Sequence, residues 1–357
     1  MNNSAHNASS RLAKLQNWLA SQFAGFDPAL NQLTPVSISS GARLANFKHN
    51  RHFRITISGD TYIVMDGSDQ ALATAERDAA FITVAKLLTD AGLNSPKVVA
   101  HDPTEGFWLL SPIGQHSYQD SLNEENADGL FRLAADALIR WQLTSRPDVL
   151  PHLDAAQLKH DLSKFEKCYL TEHLGLKLGS AQQLILDNVF IHIATVNCSQ
   201  AKVFVHRDFA PQNLMISAAS PGILGFEGAV FGPISYDIAS LYKDAFKSWD
   251  EERVLDGTIR YWEKAKKSGL PVPDDFGDFY RHVEWAGLQR HLHLLGVFAN
   301  QSTHRLDDGP DYLADAPRFL NYIRKVGERY TALFPLIRLL DALKIDDGIV
   351  RKSAYTF

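Results

Sequence analysis

The dominant spacing of apolar residues changes from strand-like to helical near residue 111, and nothing else in the sequence constrains the fold as strongly. On the N-terminal side, "HFRITIS" (52–58) and "TYIVMD" (61–66) alternate apolar and polar residues around a tight "GD" turn, the pattern of a β-hairpin. "KVVAHDPTEGFWLLS" (97–111) reads as two further strands around a turn. A helix is expected over 74–91, with Ala80, Phe81, Val84, Leu87 and Leu88 along one face and Gly92 closing it. Another is expected over 10–23 through Leu12, Leu15, Trp18, Leu19 and Phe23, capped by Ser9 or Ser10. From residue 120 onward helical spacing holds over 120–146, 154–174 and 180–198. A short β segment at 203–231 interrupts it, and helices resume near 235.

These patterns predict an α+β chain: a small N-terminal lobe (1–110) with a leading helix, an antiparallel sheet and one more helix; a hinge (111–118); and a large, mainly helical C-terminal lobe (119–357). At 357 residues both lobes can bury a core. A cleft between two lobes is the natural place for a ligand.

Composition narrows the function classes. The net charge is −5 and no Lys/Arg-rich run stands out, which argues against a nucleic-acid partner. No apolar run is long enough to cross a membrane, and "MNNSAHNASSRLAKLQNWLASQF" lacks the basic and apolar regions of a signal peptide. The two cysteines, Cys168 and Cys198, lack metal-ligand spacing and read as free thiols. A cytoplasmic monomer without an obligate protein partner is expected.

The chemistry concentrates at 203–216, "VFVHRDFAPQNLMI". His206, Arg207 and Asp208 are followed by four residues and then Asn213, the H-R-D-x-x-x-x-N spacing of a phosphotransferase catalytic loop. A carboxylate there accepts a proton from an attacking hydroxyl, and an amide a short loop away holds a metal on the phosphates. The apolar runs 203–205 and 214–216 suit two short strands that pin the loop. Downstream, Asp237 opens an apolar helix in "GPISYDIASLYKDAF". It either caps that helix or braces the catalytic loop, and both roles are compatible.

At these residues the chain resembles the aminoglycoside phosphotransferase-like kinases, a family with the protein-kinase-like two-lobe fold. Within it the chain is most similar to the N-acetylmuramate/N-acetylglucosamine anomeric kinases of cell-wall recycling. The resemblance spans nearly the whole chain through "YIVMD" (62–66), "LLTDAGLNSPKVVAHDPTEGFWLLSPIG" (87–114), "FEKCYLTEHLGL" (165–176), "VHRDFAPQNLM" (205–215), "GAVFGPISYDIASLYKDAFKSW" (228–249) and "GLQRHLHLLGVFAN" (287–300). It implies transfer of the γ-phosphoryl group of ATP, with Mg²⁺, to a small hydroxylated substrate, the anomeric hydroxyl of an amino sugar. Asp208 then stands as catalytic base beside His206 and Arg207, and Asn213 as a metal ligand. Leu110, Ser111 and Gly114 line the hinge that meets adenine. The stretch 40–55, where a phosphate-covering loop is expected, is basic rather than Gly-rich. Arg43, Arg51 and Arg54 either meet phosphate oxygens or form a solvated basic hairpin.

Two positions depart from the general kinase pattern. Met65 replaces the phosphate-pairing lysine of the third strand, a departure the recycling kinases share. Gly225 stands where the family carries an aspartate that bridges Mg²⁺ to the phosphates. Glu227, two residues on, would face the same way in a strand and is the candidate replacement. Gly228 occupies a second position where the recycling kinases often have a carboxylate. Three readings follow: an active or weakened sugar kinase, a non-catalytic nucleotide- or sugar-binding pseudokinase, or a variant of an active parent. A kinase for an aminoglycoside or another amino alcohol is the alternative substrate class. For the substrate, "GLQRHLHLLGVFANQSTHR" (287–305) is cationic or neutral, which suits an anionic sugar. Trp285, Gln289, Arg290 and His291 are the candidate substrate residues, with core packing for Trp285 and a structural ion pair for Arg290 as the competing roles. Gly225→Asp is expected to be tolerated if φ at 225 is negative.

Overall fold

The computed structural model describes residues 2–36, 51–67, 75–217, 220–243, 247–303 and 313–345. The chain divides into two compact units: Met1–Glu124 with Pro211–Gly228, and Glu125–Ala210 with Ala229–Phe357. The expected hinge, 111–118, falls inside the first unit.

The first unit opens with α1 (Asn2–Gln22), which starts earlier than its expected cap at Ser9 or Ser10. Five strands follow in the antiparallel order β1-β2-β3-β5-β4: β1 (Thr34–Pro35), β2 (Arg51–Ile57), β3 (Asp60–Asp66), β4 (Val98–Asp102) and β5 (Phe107–Leu110). β2 and β3 pair from Arg51↔Asp66 to Ile57↔Asp60, so the hairpin turns on Ser58-Gly59 rather than on "GD". Both turn residues have positive φ, 53° and 91°, the geometry that matches strand twist in a two-residue loop. The inward residues Ile55, Ile57, Val64, Phe107 and Leu109 pack against Leu15 and Leu19 of α1. That accounts for both the period of two in the strands and the helical stripe in α1. α2 (Ala75–Asp90) follows the hairpin, as its periodicity predicts.

The segment after β5 leads to the short α3 (Tyr118–Ser121) and packs beside a small hairpin of β7 (Leu214–Met215) and β8 (Gly222–Ile223). The Ile216 amide donates to His116 O (2.8 Å) and the Ile223 amide to Asn94 O (2.8 Å). Backbones approach closely here. A Cβ on Gly114 would lie 2.8 Å from the Met215 Cβ, and one on Gly222 would lie 2.5 Å from Ile113 O. Those contacts bring 211–228 into the first unit.

The second unit holds α4 (Ala127–Leu143), α5 (Ala155–Lys164), α6 (Ser180–Cys198), α7 (Tyr236–Tyr242), α8 (Glu251–Lys267), α9 (Phe276–Thr303), α10 (Ala316–Arg329) and α11 (Phe334–Ala342). It also contains the antiparallel pair β6 (Lys202–Val205) and β9 (Val230–Pro233). The helix expected over 120–146 is two helices, because α3 ends at Ser121 before α4 begins. The helix expected over 154–174 is α5 continued by a π-helical stretch, Phe165–His173. Cys168 and Cys198 are both free. No described helix is long and apolar enough to cross a membrane.

Candidate active site

In the second unit, β6 delivers His206, Arg207 and Asp208 from a buried apolar strand, as the flanking sequence requires. Arg207 takes φ of +72°, a left-handed conformation that is uncommon for a non-glycine residue. Several groups hold it there. Asp237 Oδ1 accepts from the Arg207 amide (3.0 Å) while Oδ2 accepts from the His206 amide (2.6 Å). The Arg207 guanidinium pairs with Asp161 near the end of α5 and bonds the Tyr236 hydroxyl. The Arg207 carbonyl accepts from Arg290 Nη1 of α9 (2.8 Å). Arg290 Nη2 donates to Asp208 Oδ1. His206 Nδ1 accepts from the Asp208 amide (3.2 Å), so His206, 1% exposed, folds the loop.

Asp237 is thus a brace, and no side-chain cap bond is made at the N-terminus of α7. Burial pushes its carboxyl up to about 7, opposed by the two backbone amides and by Arg290. His293, one turn beyond Arg290, bonds the Asp161 carbonyl through Nδ1 (3.1 Å). Burial pushes His293 down to about 4, so near neutral pH the cation facing Asp161 is Arg207.

Two of the expected substrate residues lie elsewhere. Trp285 is 1% exposed, with its ring against His192 (5.1 Å) and Tyr330 (5.7 Å). It packs in the helical core, and the expected stacking on a sugar face is corrected accordingly. His291 stacks on Tyr322 (4.7 Å), and its Nε2 bonds the Lys243 carbonyl (2.9 Å). Burial pushes it down to about 3, so it is neutral and supplies no cation for an anionic sugar. Gln289 is buried, and neither its amide oxygen nor its nitrogen has a hydrogen-bond partner. Arg290 alone of the four reaches the catalytic loop.

In the first unit, Asn213 is buried at the end of a 3-10 turn, Pro211–Asn213. Gly225 lies against it: a Cβ on Gly225 would sit 2.8 Å from the Asn213 Cγ and Nδ2 and 3.0 Å from its Oδ1. Gly225 has φ of +72°, so the condition for an easily tolerated aspartate is not met. Residues 224–226 form no strand and 227–228 form a turn, so the expected same-face alternation of Gly225 and Glu227 does not hold. The family resemblance implies a divalent cation here. The donors do not fit one. Asn213 offers a neutral amide, residue 225 offers nothing, and no group of three or more His, Cys, Asp or Glu suited to a metal occurs among the described residues.

The nucleotide candidates divide similarly. Arg51 bonds Asp66 Oδ2 through Nε (3.1 Å), while Arg11 of α1 holds Oδ1 through Nε (2.9 Å) and Nη2 (2.8 Å). Arg51 is thus engaged with the Asp66 carboxylate. Arg54 Nη2 reaches the Gly114 carbonyl at 3.4 Å. Met65 is buried in β3 opposite His52 and Trp108. Leu110 is buried at the end of β5. The Ser111 amide and hydroxyl both bond Lys97, at 2.9 Å each. Arg43 lies outside the described residues.

Asp161 was missed by sequence reasoning, and His293 was read only as part of the cationic 287–305 stretch, whereas burial keeps it neutral against the Asp161 carbonyl. Asp161 carries no local signal, whereas "RHLH" places His293 one turn from Arg290 on a helix.

Residues 42–276, well over half of the chain, match the model of the "Phosphotransferase enzyme family". The chain belongs to this family. It is 40% identical over 312 residues to an N-acetylmuramate/N-acetylglucosamine kinase of Pseudomonas aeruginosa, covering 87% of this chain and 90% of that one. It is 36% identical over 353 residues to a kinase of the same name from Neisseria meningitidis serogroup B, covering 97% and 99%. Among solved structures, an ADP-bound aminoglycoside phosphotransferase, APH(2'')-Ib, aligns with a TM-score of 0.58 at 14% identity, over 88% of this chain and 98% of that one. At that identity the likeness shows the fold, which is the kinase-like fold expected from the sequence. Within the matched residues lies the H-R-D-x-x-x-x-N spacing of 206–213, with its aspartate held by Arg290.

Proposed function

We propose that the chain is an ATP-dependent sugar kinase that phosphorylates the anomeric hydroxyl of N-acetylmuramate or N-acetylglucosamine. The observation that carries this reading is similarity at 36–40% identity, over 87–97% of the chain, to kinases named for those two sugars. In this reading Asp208 accepts the proton of the sugar hydroxyl as the γ-phosphoryl group of ATP transfers to its oxygen. The fixed loop conformation supports that role. Asp237 and Arg290 hold Arg207 and Asp208 from two sides, so the carboxylate needs little rearrangement to act.

A divalent cation, where bound, would supply charge neutralisation on the nucleotide phosphates in this chemistry. The donors beside Gly225 do not fit such an ion, so the chain is expected to bind ATP with little help from Mg²⁺ and to turn over slowly. The loss is on the order of a thousandfold if several kcal/mol of metal stabilisation are forfeited.

A thermal-shift panel tests the substrate class. N-acetylmuramate and N-acetylglucosamine are expected to raise Tm and kanamycin to leave it unchanged. Stabilisation by kanamycin alone overturns the assignment.

A further inference from the structure

A long helix remote in sequence from the catalytic loop reaches into it at two points one turn apart. Arg290 and His293 both lie on α9 (Phe276–Thr303), and residues three apart on a helix share a face. Arg290 bridges the Arg207 carbonyl (2.8 Å) and the Asp208 carboxylate. His293 holds the Asp161 carbonyl (3.1 Å), and the Asp161 carboxylate holds the Arg207 guanidinium. Two successive residues of the loop are therefore tied to the same face of the same helix, Asp208 through its carboxylate and Arg207 both through its carbonyl and through Asp161.

The Arg290 side chain is 4% exposed and that of Asp208 is 13%. An arginine buried to that extent does not form an incidental surface pair. Its planar fork spans two acceptors, which sets the rotation of the carboxylate as well as its position. A lysine at 290 would lack that fixed geometry. The bridge also ties the side chain of Asp208 to the backbone of Arg207, the residue held at φ +72°. Relaxation of the left-handed residue would swing the carboxylate away, and the guanidinium opposes that movement.

We infer that Arg290 is a positioning residue for Asp208, with His293 and Asp161 as its support on the Arg207 side, and that this face of α9 holds the catalytic base rather than the sugar. The inference rests on the sugar-kinase reading and deepens it.

The experiment follows sugar-phosphate formation by mass spectrometry for the unaltered full chain and for Arg290→Ala, Arg290→Met, Arg290→Lys and Asp208→Ala. Loss of a charge-assisted bond that orients the base is expected to lower kcat about 10- to 100-fold in Arg290→Ala and Arg290→Met, while KM for ATP stays nearly constant. Arg290→Lys retains the charge without the fork and falls between. Guanidinium ion is expected to restore part of the rate in Arg290→Ala, where it has space. It does not restore Arg290→Met, where the methionine fills that space, and urea restores neither. Packing loss alone would spare Arg290→Met and respond equally to urea, which overturns the inference. So does an unchanged kcat in Arg290→Ala.

Silence of the unaltered chain toward both amino sugars sinks the functional reading, and the role given to Arg290 falls with it. The pair itself is read separately from thermal unfolding of Arg290→Ala, Asp208→Ala and the double variant. The Tm losses are expected to be non-additive, because the two groups are in direct contact and removing Arg290 alone takes a charged partner from a carboxylate only 13% exposed. Additive losses overturn the pairing whatever the activity.

Discussion

Gly225 and Asn213 share one small space, and that fixes what a repaired chain would look like. An aspartate at 225 must adopt φ near +72° and displace the Asn213 amide, which lies 2.8 Å from the position of the new Cβ. Asp is among the residues that tolerate the left-handed region best, yet the conformation still costs about 1–2 kcal/mol. Gly225→Asp is therefore expected to unfold at lower urea concentration by about that free energy, while its ADP affinity, measured by calorimetry, becomes dependent on Mg²⁺. Unchanged stability would contradict a left-handed backbone cost at 225. A large Mg²⁺ gain already present in the unaltered chain would mean that Glu227 or another group serves as the ligand. Asp237 offers a pH test. Its ordinary value is 3.8 and burial raises it to about 7. Between those values the folded chain keeps a proton that the unfolded chain has lost. The stabilisation from this group is thus complete below about 4 and is lost as pH rises through about 7. Relative to Asp237→Asn, the unaltered chain is expected to lose stability over that window, at up to about 1.4 kcal/mol per pH unit. A flat difference in urea unfolding free energy across pH 4–7 would show that the two backbone amides keep the carboxylate charged throughout.

Elements were legible in the sequence where one face is buried. The period of two in 52–66 and the helical stripe in 10–23 come from residues that meet in one core, Ile55, Ile57 and Val64 against Leu15 and Leu19. α6 (Ser180–Cys198) matches its expected limits. The π-helical stretch at Phe165–His173 was not legible, because widening a helix by one residue per turn leaves the apolar spacing of so short a segment almost unchanged. A distant partner meets it at its start. Gly296 of α9 packs against the chain where the π-helix begins, so that a Cβ there would press into the Lys164 carbonyl and lie 2.6 Å from the Phe165 amide nitrogen. Gly296→Ala is accordingly expected to cost about 1–3 kcal/mol through overpacking of backbone on backbone. It should also lower kcat, since Asp161 precedes that contact and Arg290 lies on the same helix. A variant as stable as the unaltered chain in a urea titration would contradict the contact. The role of Arg290 was half legible. A structural ion pair was one of its two expected uses, but the spacing of a helix gives no indication of which distant loop its side chain will meet.

For the whole molecule, the kinase-like fold and the family were readable because "VHRDFAPQNLM" and the strand-to-helix change near residue 111 are local patterns. The division into units was less so. Residues 211–228 join the N-terminal unit through close backbone approaches at Gly114 and Gly222, which no periodicity records. The substrate residues were the least readable, since Trp285 and His291 are as compatible with a core as with a pocket until their burial is known. The central claim is that Asp208, in the loop held by Asp237 and Arg290, is the base for phosphoryl transfer from ATP to an amino sugar. The direct measurement is mass-spectrometric detection of sugar phosphate from ATP and N-acetylmuramate, with the unaltered chain and Asp208→Asn compared over long incubations. Slow accumulation of product in the unaltered chain and none above background in Asp208→Asn is the predicted result. Equal product from both, or none from the unaltered chain with either N-acetylmuramate or N-acetylglucosamine, would contradict it.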